Sequence, residues 1–170
     1  MRKSFLIRLR FAAVLVLIAA PFAAVSQPVY AAGYTARAAL QEAVKTAQQW
    51  RPDAILTSVY TTTADVDGKG VSWSYGFYSP KAHKYLNVTA KGYSVSTLEI
   101  TIGQTEAVPA DFLDSDQVIA EASKAGVKAE IMRMRLTKTE WLVNSGDQKG
   151  DLTVWLNPRN GKLIKLQTVE

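Results

Sequence analysis

The sequence predicts an α+β protein built from two repeats, each a helix packed on an antiparallel β-sheet of three to five strands. Two amphipathic helical segments, one after residue 34 and one after residue 113, are each followed by short runs rich in Val, Ile, Thr and aromatic residues. Turn compositions such as DVDGKG and NPRNG separate these runs. The order of a helix followed by strands occurs twice, which predicts an internal duplication.

The first helix is predicted from about Thr35 to Gln49, because small and apolar residues recur there at helical spacing among Gln, Glu and Lys. Pro52 ends this helix, since the residue before a proline is disfavoured in the α region. The runs ILTSVYTTT, VSWSYGFYS, KYLNVTA and YSVSTLEITIG then predict antiparallel strands. These elements are expected to form the first repeat, residues 32–106.

The second helix is predicted to begin within LDSDQVIAEASKAG, with Asp114 as N-cap and Gln117 as its reciprocal partner in a capping box. Acidic side chains in this first turn also suit the positive end of the helix dipole. The runs AEIMRMRL, EWLVN, DLTVWLN and KLIKLQTV predict the strands that follow. These elements are expected to form the second repeat, residues 107–170.

Residues 1–31 are predicted to be a secretory signal peptide. Four cations precede an uncharged apolar run, and Val29 and Ala31 supply small residues for cleavage after Ala31. The alternative is an uncleaved anchor, because the run approaches the roughly 18 to 20 residues that a spanning helix needs. The protein is therefore expected to be exported to the periplasm or the extracellular side of a bacterial envelope, with membrane contact only through the leader if it is uncleaved.

Charge and cysteine content narrow the function classes. Residues 1–31 hold four of the 20 Lys and Arg and none of the 15 Asp and Glu, so the remaining chain has a formal net charge of +1. A nearly neutral chain gives no argument for a nucleic-acid partner. The absence of cysteine excludes disulfides, thiol catalysis and thiolate metal sites.

The second half resembles the PepSY family of bacterial exported domains. The resemblance rests on FLDSDQVIAEASKAG, on the Trp strand EWLVN and on the closing hairpin LTVWLNPRNGKLIKL, and it covers Asp111 to Leu166. The family often has Trp where this chain has Phe112 and Asp where it has Asn157. Residues 34–105 look like a more divergent copy. The resemblance implies helix-on-sheet domains without catalytic residues that restrain or bind proteins, peptidases among them.

The residues give little support for an enzyme or a metal protein. The sequence lacks GxSxG and SxxK motifs after the leader, and its single histidine, His83, falls in a turn. Asp65, Asp67 and Gly68 match the start of a calcium loop, but the twelfth position would be Gly76 where a Glu is required. A β-turn explains the same letters. We therefore expect no enzyme activity, no cofactor and no metal.

Two groups of aromatic residues are candidates for binding. Strand alternation places Trp73, Tyr75 and Phe77 on one face, either as core under the first helix or as the groove of a small-molecule or lipid carrier. Alternation places Trp155 on the face opposite its apolar neighbours, together with the cations of nearby strands. In the last strand it places Lys165 outward and Ile164 and Leu166 inward. The predicted partner-binding surface therefore consists of Arg133, Arg135, Trp155 and Lys165.

The sequence thus predicts an exported, non-enzymatic PepSY-like protein that binds a protein partner in the bacterial envelope, with modulation or inhibition of a peptidase as the role that the resemblance implies. The carrier with an aromatic pocket is the alternative.

Overall fold

The computed structural model describes residues 33–92 and 94–170, so the predicted signal peptide lies outside the described residues. The described chain forms, in order, α1 (Leu40–Trp50), β1 (Ile55–Ala64), β2 (Ser72–Ser79), β3 (Lys84–Lys91), β4 (Ser94–Ile100), α2 (Ser115–Lys124), β5 (Met132–Leu136), β6 (Trp141–Asn144), β7 (Leu152–Leu156) and β8 (Leu163–Thr168). The strands lie within the runs from which they were predicted, except that β1 and β3 each extend one residue further, to Ala64 and Lys91.

The eight strands form one antiparallel sheet in the order β4-β3-β2-β1-β5-β6-β7-β8. The two halves of the chain meet at its centre, where β1 pairs with β5. Val59 is opposite Leu136 in this pairing, and Thr61 is opposite Met134. We call this central β1–β5 pairing the seam.

The predicted fold class, α+β with two repeats that each pack a helix on their own sheet, is therefore wrong. The described part of the chain is β-rich, with two short helices of 11 and 10 residues on one continuous sheet. The alternation of apolar and polar residues specifies the two faces of a strand, but it does not specify the strand's neighbours in the sheet. The pairing of β1 with β5 could therefore not be predicted from the sequence.

Both helices cover the same face of the sheet, with α1 on β2 and β3 and α2 on β6 and β7. Helix α1 begins at Leu40, later than predicted, because residues 36–39 form turns and Ala39 provides no side-chain cap. It ends at Trp50, and Arg51 is extended with φ −149°, as expected before Pro52.

The core between the helices and the sheet contains two tryptophans, one from each half of the chain. Trp73 and Trp141 are both 0% exposed, and their rings meet edge to face with centroids 6.5 Å apart. Each indole N–H donates to the segment that precedes a helix: Trp73 to the carbonyl of Tyr34 (2.7 Å) and Trp141 to that of Leu113 (3.0 Å). The two rings therefore fill the core and also hold in place the segments that lead into α1 and α2.

Ser115, the first residue of α2, joins distant parts of the chain through its fully buried hydroxyl. Its Oγ donates to the carbonyl of Gly68 (2.6 Å) and accepts from the backbone N–H of Ala36 (3.0 Å). The β1–β2 turn and the segment before α1 are thereby held against the start of α2.

Arg37 reinforces the same junction from the surface side. Its guanidinium donates to the carbonyls of Ala110 and Phe112 and lies 4.1 Å from the centroid of the Phe112 ring. These contacts connect residues on opposite sides of the predicted boundary between the two repeats.

The capping box of α2 is confirmed. Asp114 is extended with φ −70° and ψ 162°, its carboxylate accepts from the first turn of the helix, and Gln117 Oε1 accepts from the Asp114 N–H at 3.0 Å. Asp114 Oδ1 also accepts from the backbone N–H of Arg37 at 3.0 Å. One carboxylate therefore serves the helix and the contact between the two halves.

We expect Asp114→Ala to lower the free energy of unfolding by about 2 kcal/mol, the upper end of the range for cap removal, because the Arg37 N–H also loses its acceptor. Asp114→Asn is the matched control, since Asn also caps helices and should lose only a fraction of this. Urea denaturation followed by circular dichroism measures both. Equal losses in the two variants would show that the charge, and not the cap geometry, stabilises the junction.

Candidate binding surface

The sheet has one face that neither helix covers, which we call the outer face. In β5, for example, residues of this face alternate with buried ones: Arg133 and Arg135 are exposed, and Met132, Met134 and Leu136 are buried. Within the described strands, Glu99 is the one acidic residue, and its cross-strand partner is the buried Leu86, which places it on the helix side. The strands therefore contribute cations but no carboxylate to the outer face.

Three of the four predicted site residues lie in one row across the outer face. Arg135 pairs with Leu142, Leu142 with Trp155, and Trp155 with Lys165. Neighbouring strands lie about 4.8 Å apart, so Arg135 and Lys165 end a row of about 15 Å. We call Arg135, Leu142, Trp155 and Lys165 the cationic row.

Arg133, the fourth predicted residue, lies on the same face but is not free. Its guanidinium makes a two-pronged ion pair with Asp147 in the β6–β7 loop, at 3.1 and 2.7 Å. Such bidentate pairs are the stronger kind of surface ion pair. A partner would have to compete with Asp147 for this side chain.

Trp155 is half-buried on the outer face, and the ammonium of Lys165 lies 4.5 Å from its ring centroid. This is a cation–π arrangement, in which the charge is held against the electron-rich face of the ring. The pair therefore presents a broad apolar surface with a positive edge, which is a combination common among interface anchors.

Two further residues extend this surface and were not predicted. Tyr60 of β1, 39% exposed, is opposite Arg135 across the seam, and Leu142 separates Arg135 from Trp155. Alternation in β1 puts Tyr60 on the face opposite the buried Val59, so its orientation was readable from the sequence. The proximity of Tyr60 to Arg135 could not be predicted, because this proximity depends on the pairing of β1 with β5.

The other aromatic candidates belong to the core. Trp73, Tyr75 and Phe77 are 0%, 0% and 2% exposed on the helix side of β2, and the Tyr75 hydroxyl donates to the carbonyl of Ala36 at 2.9 Å. These side chains contact the protein itself and do not line an open groove.

Asp65 and His83, the turn residues considered for metal binding and for catalysis, form hydrogen bonds with neighbouring residues. Asp65 Oδ1 accepts from the N–H groups of Asp67 and Lys69 at 3.0 and 2.9 Å, which confirms the β-turn interpretation of ADVDGKG. His83 has a positive φ of 53° in the β2–β3 turn, and its Nδ1 is 2.9 Å from the hydroxyl of Tyr78. Within residues 33–92 and 94–170, no three His, Asp or Glu side chains cluster in a way that could hold a metal ion.

Two carboxyl groups, those of the half-buried Asp53 and the exposed Asp111, have shifted pKa values, and both lie away from the cationic row. The backbone N–H of Lys81, together with the Ser79 hydroxyl, lowers the pKa of Asp53. The hydrogen bond from Arg159 (2.8 Å) lowers the pKa of Asp111. These interactions fix loops and provide no acid–base pair.

In the described part of the chain, neither helix has the length and apolar character required to cross a bilayer.

Comparison with known proteins identifies no family. No family model matches the sequence, and no curated protein matches it. Among solved structures, the crystal structure of a putative lipoprotein from Clostridium difficile 630 is similar, with a TM-score of 0.51 over 75% of this chain and 91% of that chain. The sequence identity is 9%, so the likeness concerns the fold alone.

Proposed function

We propose that this protein is an exported, non-enzymatic, PepSY-like protein that binds a protein partner in the bacterial envelope through the outer face of β5 to β8. The observation that carries the proposal is the cationic row, where Arg135 and the Trp155–Lys165 pair are aligned on a face that neither α1 nor α2 covers. Flat sheet faces left open in this way are available for contact with another protein.

The chemistry of the row indicates a partner with an acidic surface. Arg135 and Lys165 carry positive charge, and the strands supply no carboxylate on this side to neutralise them. Trp and Arg are the side chains most enriched among interface hot spots. A peptidase whose activity the protein restrains is the partner that the PepSY resemblance suggests.

Export is part of the proposal, with the periplasm or the extracellular side of the envelope as the location. It is supported by the cations, apolar run and small-residue site of residues 1–31. The similarity in fold to a putative lipoprotein is consistent with it.

The double variant Arg135→Ala, Trp155→Ala should lose binding to the envelope partner. Truncation of hot-spot residues costs about 2 kcal/mol or more, which corresponds to a dissociation constant about 30-fold higher. Partners are first captured from an envelope fraction by cross-linking and identified by mass spectrometry. The affinity of each purified candidate is then measured by calorimetry against the unaltered protein and the variant.

The matched control is Lys91→Ala with Leu98→Ala, which removes one cation and one exposed apolar side chain from the outer face at the other end of the sheet. The control should retain full affinity. Circular dichroism checks that the Arg135→Ala, Trp155→Ala variant has not simply unfolded. If the folded variant binds the partner as tightly as the unaltered protein does, the proposed surface is refuted.

A further inference from the structure

The edge strand β8 exposes apolar side chains that alternation had assigned to the core. Ile164 and Leu166 were predicted to face inward, yet they are 55% and 43% exposed, and Leu163 is 51% exposed. Leu166 is opposite the buried Val154, and Leu163 is opposite the buried Leu156. Both side chains are therefore on the helix side of the sheet, but α2 packs mainly on β6 and β7, and both leucines remain exposed.

A cleft of about 300 Å³ follows from this geometry, between α2 and β8. Its walls include Glu121 and Lys124 of α2, the C-cap residue Ala125, and Leu156 and Leu163 of the sheet. Residues 160–162 of the β7–β8 turn complete its lining. A further strand beside β8 would place its own inward side chains against the exposed Leu166.

The opposite edge strand, β4, is protected where β8 is not. Glu99 of β4 is on the helix side, accepts from Trp50 Nε1 at 2.8 Å and lies 3.9 Å from the ammonium of Lys84. A charge pointing inward on an edge strand is a common device against unwanted strand pairing. The charged residue of β8, Lys165, is on the other side of the sheet, over Trp155.

We propose that β8 pairs antiparallel with β8 of a second copy of this chain, with Leu166 on the two-fold axis. A two-fold contact requires a surface that is complementary to itself. In this register Leu166 is opposite Leu166 of the other copy, Lys165 is opposite Gln167, and Ile164 is opposite Thr168. Like charges are nowhere opposed, and the Leu166 side chains of the two copies meet on the helix side of the sheet.

The irregularity in the β7–β8 pairing and the charged side chains of α2 are both compatible with this arrangement. The irregularity lies between Trp155 and Leu156 in the pairing with β7, which leaves Lys165 to Thr168 regular. Glu121 and Lys124 line the cleft as an ion pair at 2.7 Å, so each copy presents both signs of charge to its neighbour. The two outer faces would then form one surface that carries the cationic row twice. The inference is independent of the proposed partner.

Sedimentation velocity of the purified protein, from micromolar to about millimolar concentration, tests the proposal, since this range covers the dissociation constants of weak dimers. A concentration-dependent dimer is expected. Leu166→Lys places an inward charge on the edge and should raise the dissociation constant at least about 10-fold. Val95→Lys is the matched control: Val95 is 42% exposed, opposite the buried Ala90 on β4, and its substitution should leave the dimer unchanged.

Disulfide trapping gives a second measurement that does not depend on how well the lysine variant folds. The chain has no cysteine, so Leu166→Cys introduces a single thiol. Directly opposed residues of paired strands have Cβ atoms about 4.5 to 5.5 Å apart, close enough for a disulfide after a small adjustment. Mild oxidation should link Leu166→Cys chains much faster than Val95→Cys chains.

A monomer at every concentration would overturn the proposal, as would equal rates of cross-linking at positions 95 and 166. A monomer whose β8 amides become protected from hydrogen exchange only when another envelope protein is added would also overturn it, because β8 would then pair with a different chain.

Discussion

Trp73→Ala is expected to be among the most destabilising single substitutions in this protein, with a loss of about 3 to 5 kcal/mol in the free energy of unfolding. The ring is fully buried, contacts Trp141 edge to face, and donates to the carbonyl of Tyr34. The substitution therefore opens a cavity at the centre of the core and releases the approach to α1. Domains of this size have a total stability of about 5 to 15 kcal/mol, so the loss is a large share.

The matched control is the same substitution on the outer face. Trp155→Ala removes an equally large ring, but this ring is half-exposed and is covered on one side by Lys165. We expect a loss of about 1 kcal/mol or less, as for other surface substitutions. Urea denaturation should be followed by far-ultraviolet circular dichroism, because removing one of the four tryptophans alters the fluorescence. Similar losses for the two variants would mean that Trp155 is a core residue.

Gly68→Ala is expected to cost the next largest amount. Gly68 has φ +73°, and a Cβ placed on it would lie 2.5 Å from the carbonyl oxygen of Ser115 and 2.7 Å from the N–H nitrogen of Asp116. Those atoms belong to the backbone of the first turn of α2, which cannot yield as a flexible side chain does. The β1–β2 turn would have to separate from α2, and the Ser115 hydroxyl would lose its acceptor.

Gly92→Ala separates the two contributions to that cost, which are the left-handed backbone conformation and the steric clash of the added Cβ. Gly92 also has a positive φ, +55°, but an added Cβ would meet nothing within 4 Å. It should cost only the left-handed backbone penalty of about 1 kcal/mol. Gly68→Ala should cost about 1 to 3 kcal/mol more, the range for overpacking. Equal thermal and urea stabilities for the two variants would show that α2 is not held by this turn.

Local features of the fold were readable from the sequence because they depend on neighbouring residues. The N-cap at Asp114 needs only the side chains of the first helical turn, and the inward and outward positions of β5 need only a period of two. The turn around Gly68 was likewise readable from its Asp and Gly.

Features that depend on which strands are neighbours were not readable. The seam joins β1 to β5, and Leu166 is exposed because β8 is the last strand, although its own sequence suits a buried position. The hydrogen bonds of Ser115 to Gly68 and Ala36 likewise exist only in the assembled fold.

The candidate surface was predictable to the same extent. Alternation placed Arg135, Trp155 and Lys165 on one face, but their alignment in one row depends on the register of three strand pairs. The ion pair of Arg133 with Asp147 depends on the path of the β6–β7 loop, which no periodic pattern encodes.

The seam also has a consequence for the order of folding. Apart from the seam, each strand pairing joins strands that follow one another in the chain, so hairpins can form through short loops at little entropic cost. Val59 and Leu136 meet only after the whole segment between them is closed into a loop. Contacts of such large sequence separation slow folding, and until they form, β1 and β5 are both unpaired edges. In a chain that crosses a membrane unfolded, these two strands would remain open to other strands longer than the rest of the sheet.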